Sequence, residues 1–207
     1  ASGIRTIICA GSKLDGRTLE AARRWAPNAT IFEYYGAAEL SFVAGRGLVA
    51  GEPLDAGGTA IGRPFPGVDV QIFDDHGIPL PDGELGNITI KSAMVCDGYL
   101  WGDDGKALRR FNEWNTVGDQ GYIDRGELHL LGRGSDMIVT AGKNVYPHEI
   151  ELALTSLPGV AAAVAVGVPD DMRGHRVVAG IVSSCGGITP TTLNTALEEI
   201  LARDKRP

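Results

Sequence analysis

Cysteine is scarce and scattered: Cys9, Cys96 and Cys185 are the only three. They are odd in number, show no paired spacing and have no histidine array beside them, which argues against a zinc site and predicts ordinary buried thiols of a reducing cytosol. No cluster of Lys and Arg interrupts a chain whose formal net charge is −7. Binding a nucleic-acid backbone needs such clusters, so a nucleic-acid partner is disfavoured, whereas a small anion needs only a few local groups and backbone N–H donors. No apolar run approaches the length of a membrane span. The start "ASGIRTIICAG" also lacks the charged flank, long apolar region and cleavage pattern of a signal peptide. A soluble cytoplasmic protein is therefore predicted, without internal repeats or low-complexity tracts.

What is present suits a packed protein. The 207 residues are 43% hydrophobic and 22% charged, enough for one large or two small domains with real cores. The 29 glycines follow no period and sit at turn-like positions, so many loops join short strands.

"IRTIICAGS", rich in β-branched residues, reads as a strand. "LDGRTLEAARRWAPNA" places Leu19, Ala22 and Trp25 near helical spacing and stops at Pro27, and "ATIFEYYG" reads as the next strand. This β-α-β unit predicts a parallel pair, which normally sits inside a larger covered sheet. Residues 1–57 are thus expected to be the remnant of a larger α/β subdomain, with an edge at "IRTIICAGS" that a missing part or a second copy covers. Across 58–132 the pattern changes to short strands divided by Gly, Pro and Asp, including "VDVQIF", "GELGNITIKS" and "ELHLLG", which predicts a small antiparallel barrel or sandwich. Residues 133–207 are expected to form an incomplete α+β domain. In it Pro147 starts a helix with Ile150, Leu154 and Leu157 on one face, the strands "AAAVAVGV" and "HRVVAGIVS" follow, and Pro190 starts a helix striped by Leu193, Leu197, Ile200 and Leu201. His76, His129, His148 and His175 receive no role. Glu149 and Glu151 are explained by the positive end of their helix dipole.

Four segments in order, "YYGAAE" at 34–39, "GELGNITIKSAMVCDGY" at 83–99, "TVGD" at 116–119 and "GRGSDMIVTAGKNVYPHEIE" at 132–151, resemble the adenylate-forming enzymes. That superfamily holds acyl-CoA and aryl-CoA synthetases, peptide-synthetase adenylation domains and luciferases. The resemblance implies an ATP/AMP site in which Tyr35 and Gly36 lie against adenine, Glu39 holds Mg2+ on the phosphates, and the loop of Gly11, Ser12 and Lys13 runs along the base. It also implies that Asp119 accepts hydrogen bonds from the ribose hydroxyls and that Arg133 reaches the ribose or phosphates. Ala38 stands where the family usually has a threonine whose hydroxyl contacts the α-phosphate. Ser135 matches the pivot about which the C-terminal domain rotates between half-reactions, where Asp or Lys is commoner, and Gly142 matches the wall of the pantetheine tunnel for CoA. The plain alternatives stay open: a core tyrosine, a solvated Glu39, a turn-forming Asp119, a surface Arg133, and a Gly142 that only permits a tight turn.

The resemblance implies a carboxylate–CoA ligase that forms an acyl-adenylate and then a thioester. "GKNVYPHEIE" and "DKRP" resemble acyl-CoA synthetases more than peptide-synthetase modules, so the expected partners are a small carboxylic acid, aliphatic at first guess, and CoA. The family's Ser/Thr/Gly-rich phosphate loop and its late catalytic lysine have no counterpart here. The chain therefore reads as the back part of a ligase, inactive alone. An adenylation domain that loads a carrier-protein thiol, and a non-catalytic assembly piece, are the alternatives.

Overall fold

The computed structural model describes residues 3–48, 58–102, 105, 107–184 and 188–207. Cys185 lies outside the described residues, while Cys9 and Cys96 are half-buried free thiols, less enclosed than expected. Burial, and then the nearby charge of Glu33, push the Cys9 thiol up from its ordinary value.

The opening β-α-β unit is present. Strand β1 (Thr6–Cys9) and strand β2 (Thr30–Ala37) pair in parallel, joined by helix α1 (Gly16–Trp25). Asp15 starts α1 by accepting hydrogen bonds from the backbone N–H groups of Arg17 and Thr18, both at 2.9 Å, satisfying donors that a helix start leaves open. Arg23 and Arg24 lie in its last turn, where positive charge suits the dipole. Pro27 disfavours helical geometry at Ala26 and ends it.

Strand β3 (Ser41–Leu48) folds back antiparallel on β2. Then follow β4 (Ala60–Pro64), β5 (Val68–Phe73), β6 (Gly86–Ser92), β7 (Arg109–Phe111), β8 (Trp114–Thr116), β9 (Asp119–Asp124) and β10 (Glu127–Arg133). Together they make one ten-stranded sheet in the order β1-β2-β3-β4-β10-β9-β6-β8-β7, with β5 paired to β6. The barrel or sandwich expected over 58–132 is replaced by an open stretch of this sheet. Both edges of β4 are used, by β3 and by β10, so β4 has no edge left with which to close a ring, and no closed barrel exists among the described residues. Leu40, Val43, Ile72, Ile88, Ile90 and Leu128 are among the most deeply buried members of its core.

The chain divides into two compact units, with the boundary after Leu130. In the second unit a hairpin of β11 (Ile138–Thr140) and β12 (Lys143–Val145) joins β13 (Val160–Asp170) and β14 (Gly174–Ser183) in the order β12-β11-β14-β13. Helix α2 (Pro147–Ser156) buries Ile150 and Leu154 against this sheet, with Leu157 beside them. Helix α3 (Pro190–Leu197) starts at proline as expected but stops at Leu197. The stripe expected through Leu201 is therefore broken. Leu197 and Leu201 are buried, while Ile200 is 42% exposed because the backbone leaves the helix before reaching it.

Candidate nucleotide site

Side chains alternate along β2, so Ile31, Glu33 and Tyr35 share one face and are buried, whereas Phe32 is exposed. The Tyr35 hydroxyl donates to Asp119 Oδ2 at 2.6 Å, and both residues are only 8% exposed. Asp119 opens β9 directly after Gly118, whose φ of 86° makes the turn and whose N–H donates to Thr116 Oγ1 at 3.1 Å.

Four strand spacings separate β2 from β9 along the sheet order, which in a flat sheet would be about 19 Å. A 2.6 Å bond between them therefore requires the sheet to curl strongly. Tyr35 and Asp119, two expected site residues, are brought together. Sequence reading placed both in the site but missed this bond.

Gly36 follows at a register shift in the β2–β3 ladder. Ala38 is exposed in the connecting turn. Glu39 is half-buried; its Oε1 accepts from the Tyr99 hydroxyl and its carbonyl accepts from Cys96 N–H at 2.9 Å. Among the described residues no group of three or more His, Cys, Asp or Glu could hold a metal ion.

Gly11 has φ 88° with open space where a Cβ would stand, and Ser12 is exposed. Lys13 turns inward instead: its Nζ donates to Glu33 Oε2 at 3.0 Å and to the Ala60 carbonyl. Glu33 also accepts from Leu14 N–H at 2.9 Å and from Arg46 Nε at 3.2 Å. This buried anion, held by two cations and an amide, was not anticipated. Its signal was its place between Ile31 and Tyr35 on the buried face of a strand.

In the second unit Arg133 ends β10 exposed. Ser135 lies in the 3-10 turn Gly134–Asp136 and its hydroxyl donates to Asp136 Oδ1 at 2.9 Å. Gly142, with φ 77°, and Ala141, with φ 49°, form the two-residue connection of the β11–β12 hairpin, where Thr140 pairs with Lys143. Two successive positive φ values are what a type I′ hairpin turn requires. A Cβ at Gly142 would meet nothing within 4 Å.

The helix dipole is not the whole account of Glu149 and Glu151. Lys205 Nζ donates to both carboxylate oxygens of Glu149, at 2.7 and 2.8 Å, and Glu151 Oε1 accepts from Ala165 N–H at 2.9 Å. The first of these ties "DKRP" to the start of α2.

Residues 1–100 match the AMP-binding enzyme family and residues 149–207 match the AMP-binding enzyme C-terminal domain. An uncharacterized acyl–CoA ligase of Bacillus subtilis, YhfT, is 36% identical over 187 residues, which are 90% of this chain and 36% of that protein. The fatty acid–[acyl-carrier-protein] ligase ScoC of Streptomyces coeruleorubidus is 40% identical over 151 residues, 72% of this chain and 29% of that protein. Among solved structures, o-succinylbenzoate CoA synthetase from Bacillus subtilis in complex with its acyl-adenylate intermediate superposes with a TM-score of 0.83 at 30% identity, over 99% of this chain and 41% of that one. The chain thus spans about two fifths or less of the length of these proteins. Among the described residues no helix is long and apolar enough to cross a membrane.

Proposed function

This chain belongs to the adenylate-forming AMP-binding enzymes, and from that premise we propose that the protein is an ATP-dependent, AMP-forming carboxylate–CoA ligase. A carboxylate oxygen attacks the α-phosphorus of ATP, pyrophosphate leaves, and a thiol then attacks the acyl carbon and displaces AMP. The observation that carries this reading is the hydrogen bond that brings Tyr35 and Asp119 together at 2.6 Å, since the family resemblance gives the first a place at the adenine and the second a place at the ribose.

In this reading Asp119 accepts from the ribose hydroxyls, for which a carboxylate with two oxygens is suited. Tyr35, Gly36, Gly11 and Ser12 border the adenine, Arg133 supplies a planar fork of donors to ribose or phosphate, and Ala38 contributes no hydroxyl to the α-phosphate. Glu39 is the residue that would hold Mg2+. One carboxylate suits this ion, which is usually bound through one or two carboxylates, substrate phosphates and water, and it would neutralise phosphate charge there. Ser135 is the pivot between the two half-reactions, and Gly142 faces the pantetheine arm of CoA.

The carboxylic acid is proposed to be aliphatic and the location cytoplasmic. The division at 57/58 and 132/133 into an α/β remnant, a β-rich subdomain and a C-terminal α+β domain belongs to the same reading. A surface of Ile8, Phe32, Phe42 and Met94, each 41–66% exposed, lies beside edge strand β1, and the proposal is that a further part of the enzyme or a second copy covers it.

A second reading is favoured by the 40% identity to an acyl-carrier-protein ligase: the thiol acceptor is a carrier protein. Carboxylate-dependent exchange of pyrophosphate into ATP by the full-length protein tests the first half-reaction, and thioester formation on CoA against carrier protein separates the two acceptors. Absence of exchange with every carboxylate class would overturn the ligase reading. The 207 residues expressed alone are expected to give no exchange.

A further inference from the structure

At the tip of the loop after β1, Gly11 has open space where a Cβ would stand and Ser12 is exposed, so neither is fixed by packing around a side chain. The next two residues are fixed by one carboxylate. Glu33 accepts from Leu14 N–H on Oε1 at 2.9 Å and from Lys13 Nζ on Oε2 at 3.0 Å, so both of its oxygens hold the same loop. Lys13 Nζ also donates to the Ala60 carbonyl of β4, and Arg46 of β3 brings a second cation to Oε2 at 3.2 Å. The Lys13 and Glu33 side chains are 7% and 3% exposed. A buried polar network whose members are satisfied rigidifies what it joins.

Glu33 lies two residues before Tyr35 on the same face of β2, about 7 Å along the strand. The anchor of the loop and one border of the adenine therefore ride on a single strand. A flat ring is gripped only where the walls of its slot come within about 3.5–4 Å of it, and a gap too wide by about 0.5–1 Å forfeits a quarter to a half of the attraction. A loop tip of glycine and exposed serine meets that tolerance only if its base is pinned.

We infer that Lys13 and Glu33 are positioning residues for the base of the nucleotide: their buried ion pair fixes the Gly11–Ser12 loop at a set distance from Tyr35 and Gly36, and the width so fixed lets the site grip a purine. The inference rests on the reading of this loop and Tyr35 as the borders of adenine. The pair acts on the base through the loop.

Lys13→Met in the full-length protein removes the cation and keeps an unbranched side chain, while Glu33 stays held by Leu14 N–H and Arg46. Binding of AMP and of ribose 5-phosphate, which lacks the base, is measured by calorimetry beside thermal unfolding. The wild type should bind AMP more tightly. The variant should lose about tenfold for AMP, within the range a stacked base contributes, with ribose 5-phosphate unchanged. A folded variant that keeps the wild-type ratio of the two affinities, including one that weakens both alike, overturns the inference and leaves the nucleotide site standing. A wild type that binds AMP no more tightly than ribose 5-phosphate overturns the reading of the base site and this inference with it. Should the variant fail to fold, amide exchange in the wild type decides: AMP at saturation should slow exchange at Leu14 N–H more than ribose 5-phosphate does, and equal protection would overturn the positioning role.

Discussion

The carbonyl oxygen of Ser41 stands 2.2 Å from where a Cβ on Gly36 would be. Residue 36 is therefore a glycine for the sake of the β2–β3 hairpin, whatever ligand approaches it. Ser41 has φ 61°, and this places its carbonyl in the space left by the missing side chain. Gly36→Ala should shift the hairpin and cost about 1–3 kcal/mol, the usual range for overpacking, read as a lower urea midpoint. Unchanged stability would show that the hairpin can yield.

Glu33 is 2% exposed and binds Lys13 and Arg46 at 3.0 and 3.2 Å. Removing the anion leaves two cations facing each other, whereas removing Lys13 leaves an anion still held by Arg46 and Leu14 N–H. Breaking a buried pair from one side costs about 3–5 kcal/mol. Glu33→Gln should therefore reach that range and Lys13→Met should cost less. Chemical denaturation in the reverse order would contradict this account of the cluster.

Asp15 offers a pH-dependent test. Partial burial opposes its charge, but hydrogen bonds from Thr18 and from the backbone N–H groups of Thr18 and Arg17 outweigh burial and hold the carboxyl below its ordinary range. Because the folded state binds this proton less readily than the unfolded chain, the stability it supplies is complete above the ordinary carboxylate range and is lost as pH falls through the lowered value. Asp15→Ala should cost about 1 kcal/mol near neutrality, and the gap to wild type should shrink toward zero as pH falls through the lowered value. A gap independent of pH would mean that the carboxylate's charge is not what caps α1.

Gly142 separates turn geometry from thiol access. Asparagine tolerates positive φ far better than leucine does, and both would add a side chain at a position where a Cβ meets nothing within 4 Å. Gly142→Asn should leave the thermal midpoint nearly unchanged, while Gly142→Leu should lower it by a cost of about 1–2 kcal/mol. If Gly142 faces the pantetheine arm, both variants of the full-length protein should retain pyrophosphate exchange and lose thioester formation. The loss should be about a hundredfold, as for a substrate displaced by roughly 1 Å. Loss that tracks stability alone would reduce Gly142 to a turn residue.

The local signals were sufficient wherever a few neighbouring residues decide the outcome. Pro147 and Pro190 mark helix starts because a fixed φ acts within one turn, and the alternation of "TIFEYYGA" sorts its side chains because strand geometry has period two. The end of α3 at Leu197 was not legible, since an apolar stripe continues in sequence whether or not the backbone does. Tertiary structure alone decided that Asp119 meets Tyr35, 84 positions away, that Lys13 turns in to Glu33, and that Lys205 returns to Glu149. Such pairs depend on strand order and on how far the sheet curls, and these arise from the summed packing of the whole core, to which no single segment carries the answer.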